Sequence, residues 1–126
     1  QFIKHLTVGD NEVALLDMEA GVEHFGRGVD NSVDLILMIV DPSFESLKLT
    51  KKIQQLGESI GKPVFFVLNK VNELVLPTML ESIDDQSKVL AVISTDTEIA
   101  RKGLVGDELM MEIPEIHTLA RKILKQ

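Results

Sequence analysis

Four short apolar runs recur along the chain, each four to six residues long and rich in β-branched side chains. None of them alternates apolar with polar residues, which is typical of strands that are buried on both faces of a parallel sheet. The alternative, that one run is a turn of a buried helix, is disfavoured by the helix-breaking residues that flank the runs. The runs are residues 13–16, 35–40, 64–68 and 89–93.

Apolar residues recur at helical spacing between the runs and after the last one. Ser43 suits the start of the first helix, Pro77 lies in the first turn of the second, and Pro114 opens the last. The predicted helices span residues 44–59, 74–83, 97–102 and 115–125. The alternation of strands and helices predicts one α/β domain over residues 1–126, with a mostly parallel sheet of about four strands flanked by helices in three layers.

The charge balance excludes some classes of partner. Thirteen Lys and Arg against twenty Asp and Glu give a net charge of −7, whereas a nucleic-acid surface needs a basic face. The same balance disfavours an anionic membrane surface, and no apolar run approaches the roughly 20 residues that span a bilayer. The chain has no Cys, which excludes disulfides, thiolate metal sites and a Cys nucleophile within it. We expect a cytoplasmic protein without nucleic-acid or membrane partners.

Polar residues follow all four apolar runs. In open parallel sheets, ligands bind beyond the carboxyl ends of the strands, so these positions are the candidate site. They are Asp17, Asp41-Pro42-Ser43, Asn69-Lys70 and Ser94-Thr95-Asp96.

Asp17 is a candidate ligand for a metal ion. A carboxylate at the tip of a buried strand can hold Mg²⁺ through water while a phosphate completes the coordination shell. Gly21 would then let the backbone approach that phosphate closely. The alternative is that Asp17 only caps a helix that starts near Ala20.

Asn69 can both donate and accept hydrogen bonds, which matches the edge of a purine, and Lys70 can lay its aliphatic stem along a ring. The alternative is an ordinary loop Asn. The pair also resembles the guanine-reading Asn-Lys-x-Asp of GTPases, but the fourth position here is Asn72, which lacks the carboxylate.

Residues 15–28 read LLDMEAGVEHFGRG, and this segment resembles the Walker B and switch II segment of the carbon monoxide dehydrogenase maturation ATPases. These are nickel-insertion accessory proteins in the MinD/ParA and nitrogenase iron protein class of deviant P-loop NTPases. The family's next strand resembles residues 39–43. The strand end that reads adenine in the family resembles residues 66–70. The resemblance covers residues 13–72 well and the remainder loosely.

The resemblance implies ATP or ADP and Mg²⁺ as ligands of the full-length family member, and it assigns roles to single residues. Asp17 would be the Walker B carboxylate near Mg²⁺, held through water. Gly21 would be the switch II glycine that senses the γ-phosphate. Asn69 would contact the adenine with Lys70 beside it, and Thr95 and Asp96 would lie next to the base.

Two departures from the family limit what this chain does alone. It has no G-x-x-x-x-G-K-[ST] loop to hold the β- and γ-phosphates, and it lacks the paired Cys that bind nickel in the family. The resemblance therefore implies a partial P-loop NTPase fold, the carboxyl-terminal half, with the nickel site elsewhere. In the family the P-loop strand lies between the Walker B strand and the strand that ends here at Asp41, so its absence would leave a gap or an unpaired edge in the sheet. We expect the chain to form a homo-oligomer, to swap an element, or to pair residues 13–17 directly with 35–40.

Three functions remain open. The leading hypothesis is the carboxyl-terminal portion of an ATP-dependent metallochaperone that assists nickel insertion into carbon monoxide dehydrogenase, with that acceptor metalloenzyme as a partner. The second is a non-catalytic interaction module derived from a MinD/ParA-like ATPase. A receiver-like phosphoacceptor domain is the third, and it is disfavoured because Asp17 lacks a neighbouring pair of acidic residues.

Overall fold

A computed structural model describes residues 7–18, 32–96, 104–106 and 114–126 of the 126-residue chain. The described part is a parallel three-stranded sheet, in the order β1-β2-β3, flanked by helices. The elements are β1 Ile36–Val40, α1 Phe44–Ile60, β2 Val64–Val71, α2 Leu76–Glu81, a 3₁₀ turn Gln86–Lys88, β3 Val89–Ser94 and α3 Pro114–Leu124. The predicted α/β class is therefore confirmed, and it is consistent with part of a P-loop NTPase fold.

The sheet has one regular ladder and one irregular ladder. β1 and β2 pair in unbroken register from Ile36 opposite Val64 to Val40 opposite Leu68. The ladder between β2 and β3 shifts register twice, and the second shift lies between Leu68 and Val71. That second shift falls at the carboxyl end of β2, where the sequence places Asn69 and Lys70.

The main core lies between one face of the sheet and the helices α1 and α2. Successive strand residues point to opposite faces, so alternate residues of β1 and β2 reach this core. The cluster contains Ile36, Met38, Val40, Ile53, Val64, Phe66, Leu68, Val71, Met79 and Ile83. On the other face, α3 packs against β3. That face is open over β1, because Ile39 is 53% exposed whereas its register partner Val67 is fully buried.

The ends of α1 follow from its sequence. Ser43 is the N-cap, as predicted, and its hydroxyl accepts a hydrogen bond of 3.2 Å from the Ser46 amide. Gly61 ends the helix at φ 67°, a left-handed conformation that glycine adopts at little energetic cost. None of the helices among the described residues is long and apolar enough to cross a membrane.

The prediction of a strand over residues 13–16 is wrong. The structure gives this segment no strand, and the side chains of Val13 and Leu15 are 63% and 84% exposed. A strand is stable only when its backbone groups have a ladder partner, and the described residues offer it none. The sheet of the described residues therefore has three strands rather than about four, and residues 13–17 do not pair with 35–40. The helix predicted over residues 97–102 lies outside the described residues.

Asp85 caps the 3₁₀ turn before β3. Its carboxylate accepts hydrogen bonds from the Ser87 hydroxyl at 2.6 Å and from the Ser87 amide at 3.0 Å. These bonds favour the charged form, the hydroxyl bond most strongly, and they lower the pKa of Asp85 below its usual 3.8.

We expect Asp85 to contribute stability above its ordinary pKa, and this contribution to be lost as the pH falls through its lower folded-state pKa. A carbon-13 NMR titration of the side chain should give a midpoint below 3.8. Ser87→Ala should move the midpoint back towards that value. A midpoint that Ser87→Ala leaves unchanged would contradict this geometry.

Candidate functional site

Three polar side chains meet at the carboxyl ends of β1 and β2. The Asn69 amide nitrogen donates to Asp41 Oδ1 at 3.1 Å, and Lys70 Nζ lies 3.2 Å from Asp41 Oδ2. We call Asp41, Asn69 and Lys70 the strand-end cluster. It forms because β1 and β2 are parallel neighbours, so their carboxyl ends lie at the same edge of the sheet. This is the edge at which open α/β sheets bind ligands.

A kink in β2 lets two consecutive residues reach the same carboxylate. In a regular strand, Asn69 and Lys70 would point to opposite faces of the sheet. Lys70 instead has φ 55°, and it is the one described residue other than glycine with a positive φ. The register shift between Leu68 and Val71 removes both residues from the regular ladder at the same point. The kink therefore places both side chains against Asp41.

Asp41 is also tied to the start of α1. Its backbone amide donates to the Ser46 hydroxyl oxygen at 3.1 Å, while the Ser46 amide is bonded to the N-cap Ser43. The ion pair with Lys70 is open to solvent, with side-chain exposures of 63% for Lys70 and 42% for Asp41. An exposed pair of this kind contributes only about 0–1 kcal/mol. The cluster therefore sets side-chain positions more than it adds stability.

The end of β3 lies at the same edge of the sheet. Val71 pairs with Ser94, and the Thr95 amide donates to the Val71 carbonyl oxygen at 3.0 Å. Thr95 is exposed and Asp96 is half-buried. These two residues, predicted to lie beside a base, thus directly follow the strand that neighbours the strand-end cluster.

Asn72 has a structural role. Its side-chain oxygen accepts hydrogen bonds from the amides of Leu74 at 2.9 Å and Val75 at 3.1 Å. This Asx-type turn leads into α2, which begins at Leu76. The residue at the position of the guanine-reading carboxylate of GTPases is therefore engaged with its own backbone.

Asp17 is exposed and lies outside any strand, and the next residue, Met18, packs against the main core. Gly21 lies outside the described residues. Among the residues that the structure describes, no three acidic or histidine side chains group together as a protein-built metal site would require. Mg²⁺ in nucleotide sites is commonly held by one or two carboxylates, water and the substrate phosphates, so a single exposed carboxylate fits that mode of binding.

The sequence indicated the strand end at Asp41 but not its position at the centre of the cluster. The order of the elements already indicates that Asp41 and Asn69 lie close together. Asp41 directly follows one apolar run, and Asn69 directly follows the next apolar run along the chain. Consecutive strands are often neighbours in a sheet, so the two ends meet. The sequence did not indicate the left-handed backbone at Lys70, since lysine has no preference for that conformation.

Comparison with known proteins links the chain to ATP-binding proteins. An uncharacterized ATP-binding protein of Methanocaldococcus jannaschii is 44% identical over 125 residues, which are 99% of this chain and 50% of that protein. A second one from the same organism is 30% identical over 115 residues, 89% of this chain and 45% of that protein. The carbon monoxide dehydrogenase accessory protein CooC of Rhodospirillum rubrum is 34% identical over 105 residues, 82% of this chain and 40% of CooC.

This chain belongs to the family of CooC and these ATP-binding proteins. No protein-family model matches it. The chain spans about half the length of the curated relatives that it matches. The activity of a whole CooC-family protein is therefore a proposal for this chain.

Proposed function

We propose that this chain provides the base-binding and magnesium side of an ATP site in a CooC-family ATPase. The observation that carries the proposal is the position of Asn69. It lies half-buried at the carboxyl end of the central strand, beside the end of β3, in a chain homologous to ATP-binding proteins over nearly its whole length. A side-chain amide at this edge of the sheet can form hydrogen bonds with the edge of a purine ring, while the ends of the other strands surround the ring.

Each predicted site residue has a role in this proposal. Asn69 binds the adenine edge, Lys70 lays its stem along the ring, and Thr95 and Asp96 flank the base. Asp17 holds Mg²⁺ through water, which would neutralise phosphate charge. Gly21 approaches the γ-phosphate through its backbone. This sequence contains no Walker A motif, so in this proposal a segment outside the sequence supplies the loop that holds the phosphates.

Nickel insertion is the finer proposal for the whole protein. CooC is named as a carbon monoxide dehydrogenase accessory protein, and this chain shares 34% identity with it. In that setting, ATP binding and hydrolysis would drive delivery of nickel to an acceptor metalloenzyme, and the chain would act within a homo-oligomer. A non-catalytic interaction module derived from such an ATPase is the alternative.

A titration of the chain with adenosine monophosphate tests the base-binding half of the proposal. We expect weak binding that shifts the NMR signals of Asn69, Thr95 and Asp96, and little effect from guanosine monophosphate. Asn69→Ala removes about two hydrogen bonds, so the affinity for adenosine monophosphate should fall about tenfold.

Asn11→Ala is the matched control, because Asn11 is exposed in a turn and is not part of the strand-end cluster. It should leave the affinity for adenosine monophosphate unchanged. An equal response to adenine and guanine nucleotides would contradict base recognition by Asn69. Tight Mg²⁺-dependent binding of ATP by this chain alone would contradict the division of the site between two segments.

A further inference from the structure

The orientation of the Asn69 amide is fixed by the chemistry of its neighbour. An ionised carboxylate only accepts hydrogen bonds, so the atom of Asn69 that lies 3.1 Å from Asp41 Oδ1 is the amide nitrogen. The opposite orientation would bring the amide oxygen against a carboxylate oxygen, and two acceptors repel. Asp41 therefore holds the amide in one of its two orientations.

This orientation sets what Asn69 offers to a ligand. The amide nitrogen carries two protons, and the bond to Asp41 uses one of them. If the proton that points away from the amide oxygen makes this bond, the other proton and the carbonyl oxygen are left for a ligand as a donor beside an acceptor. On its Watson–Crick edge adenine presents the complementary pair, the 6-amino donor beside the N1 acceptor. Guanine and hypoxanthine present the reverse pair on that edge, a carbonyl oxygen beside an N1–H donor, so in the pose of adenine their oxygen would face the oxygen of Asn69.

We infer that Asp41 is a positioning residue that makes this site select adenine over 6-oxopurines. The inference rests on the proposed function, because it requires that Asn69 bind a base. Asp41 itself touches no base in this arrangement and acts only through Asn69. Three contacts hold its own position: the Asn69 amide, Lys70 Nζ and the bond from its backbone amide to Ser46.

Asp41→Asn is the decisive variant. It keeps the shape of the side chain but replaces an obligate acceptor with an amide that can donate or accept. The Asn69 amide can then turn over and still be satisfied, so it would accept a 6-oxopurine as well as adenine. Selectivity should fall, whereas the affinity for adenosine should change little.

The test is a pair of NMR titrations of the isotope-labelled chain, one with adenosine and one with inosine. These nucleosides differ at the 6-position and carry no phosphate, so the missing phosphate-holding loop is irrelevant. In the unmodified chain we expect adenosine to bind at least about fivefold more tightly than inosine. In Asp41→Asn this ratio should fall to about 1. Asp85→Asn is the matched control, since it removes a carboxylate at another loop, and the ratio should stay as in the unmodified chain.

The outcomes separate this inference from the proposed function. If adenosine shifts Asn69 but the selectivity in Asp41→Asn is unchanged, the positioning role is overturned and base binding stands. If neither nucleoside shifts Asn69, base binding itself is refuted and the inference is refuted with it. A measurement on the unmodified chain keeps the test decisive even if Asp41→Asn does not fold. The Asn69 amide protons should show nuclear Overhauser contacts to the Asp41 β-protons, and their absence would overturn the inference.

Discussion

Phe66→Ala should lower the free energy of unfolding by about 3–5 kcal/mol, the range for removing a fully buried aromatic side chain. Phe66 is 1% exposed, is the third residue of the central strand β2 and belongs to the main core. It packs on the face covered by α1 and α2, so truncation leaves a cavity between the sheet and both helices. Urea unfolding followed by circular dichroism measures the change.

Phe44→Ala provides a matched control for this truncation. Phe44 is 79% exposed at the first position of α1, so the same chemical change removes little buried surface. Its effect should stay within about 0.5 kcal/mol. Equal losses in the two variants would show that Phe66 is not buried as described.

Gly57→Ala should destabilise the chain although alanine is the better helix former. Gly57 is buried in α1, and a Cβ atom there would lie 2.3 Å from Val64 Cγ2 and 2.9 Å from the Lys62 carbonyl oxygen. The second contact is with backbone, so the helix must move away from the start of β2. Overpacking of this kind costs about 1–3 kcal/mol, whereas the gain in helix propensity is at most about 1 kcal/mol. We therefore expect a net loss of about 1–2 kcal/mol in the free energy of unfolding.

Ser59→Ala separates the packing effect from helix propensity. Ser59 lies two residues away in the same helix and is exposed, so an alanine side chain there meets no clash. Alanine also has the higher helix propensity. Urea unfolding should show this variant to be at least as stable as the unmodified chain. A stabilising effect of Gly57→Ala would mean that α1 does not approach Val64 as closely as the structure shows.

The sequence was sufficient to predict the elements whose partners lie within the described chain. The runs over residues 35–40, 64–68 and 89–93 became β1, β2 and β3, because each is apolar on both faces and each finds a parallel neighbour. The run over 13–16 has the same apolar character but no ladder partner among the described residues. Apolar composition alone therefore does not distinguish a paired strand from an unpaired segment.

The sequence predicts that polar residues follow the carboxyl ends of neighbouring strands, but it does not predict the contacts that these residues make there. The rule that ligands bind at carboxyl strand ends selects Asn69, Lys70, Thr95 and Asp96, and it also selects Asp17, which follows a strand that the structure does not form. The hydrogen bonds of Asp41 depend on a backbone kink at Lys70, and local sequence carries no signal for that kink. Gly21 lies outside the described residues, and the proposed roles of Asp17 and the other site residues remain predictions.

The left-handed backbone at Lys70 bears on the thermodynamics of ligand binding. A residue other than glycine in this conformation is energetically unfavourable by about 1 kcal/mol, and the surrounding fold must stabilise it. The segment around Lys70 therefore has its final shape in the free protein. The entropy cost of ordering this segment is part of folding and not of ligand binding. The base that we propose to bind at this edge would therefore meet donors and acceptors already aligned, and its affinity would not be reduced by the cost of arranging them.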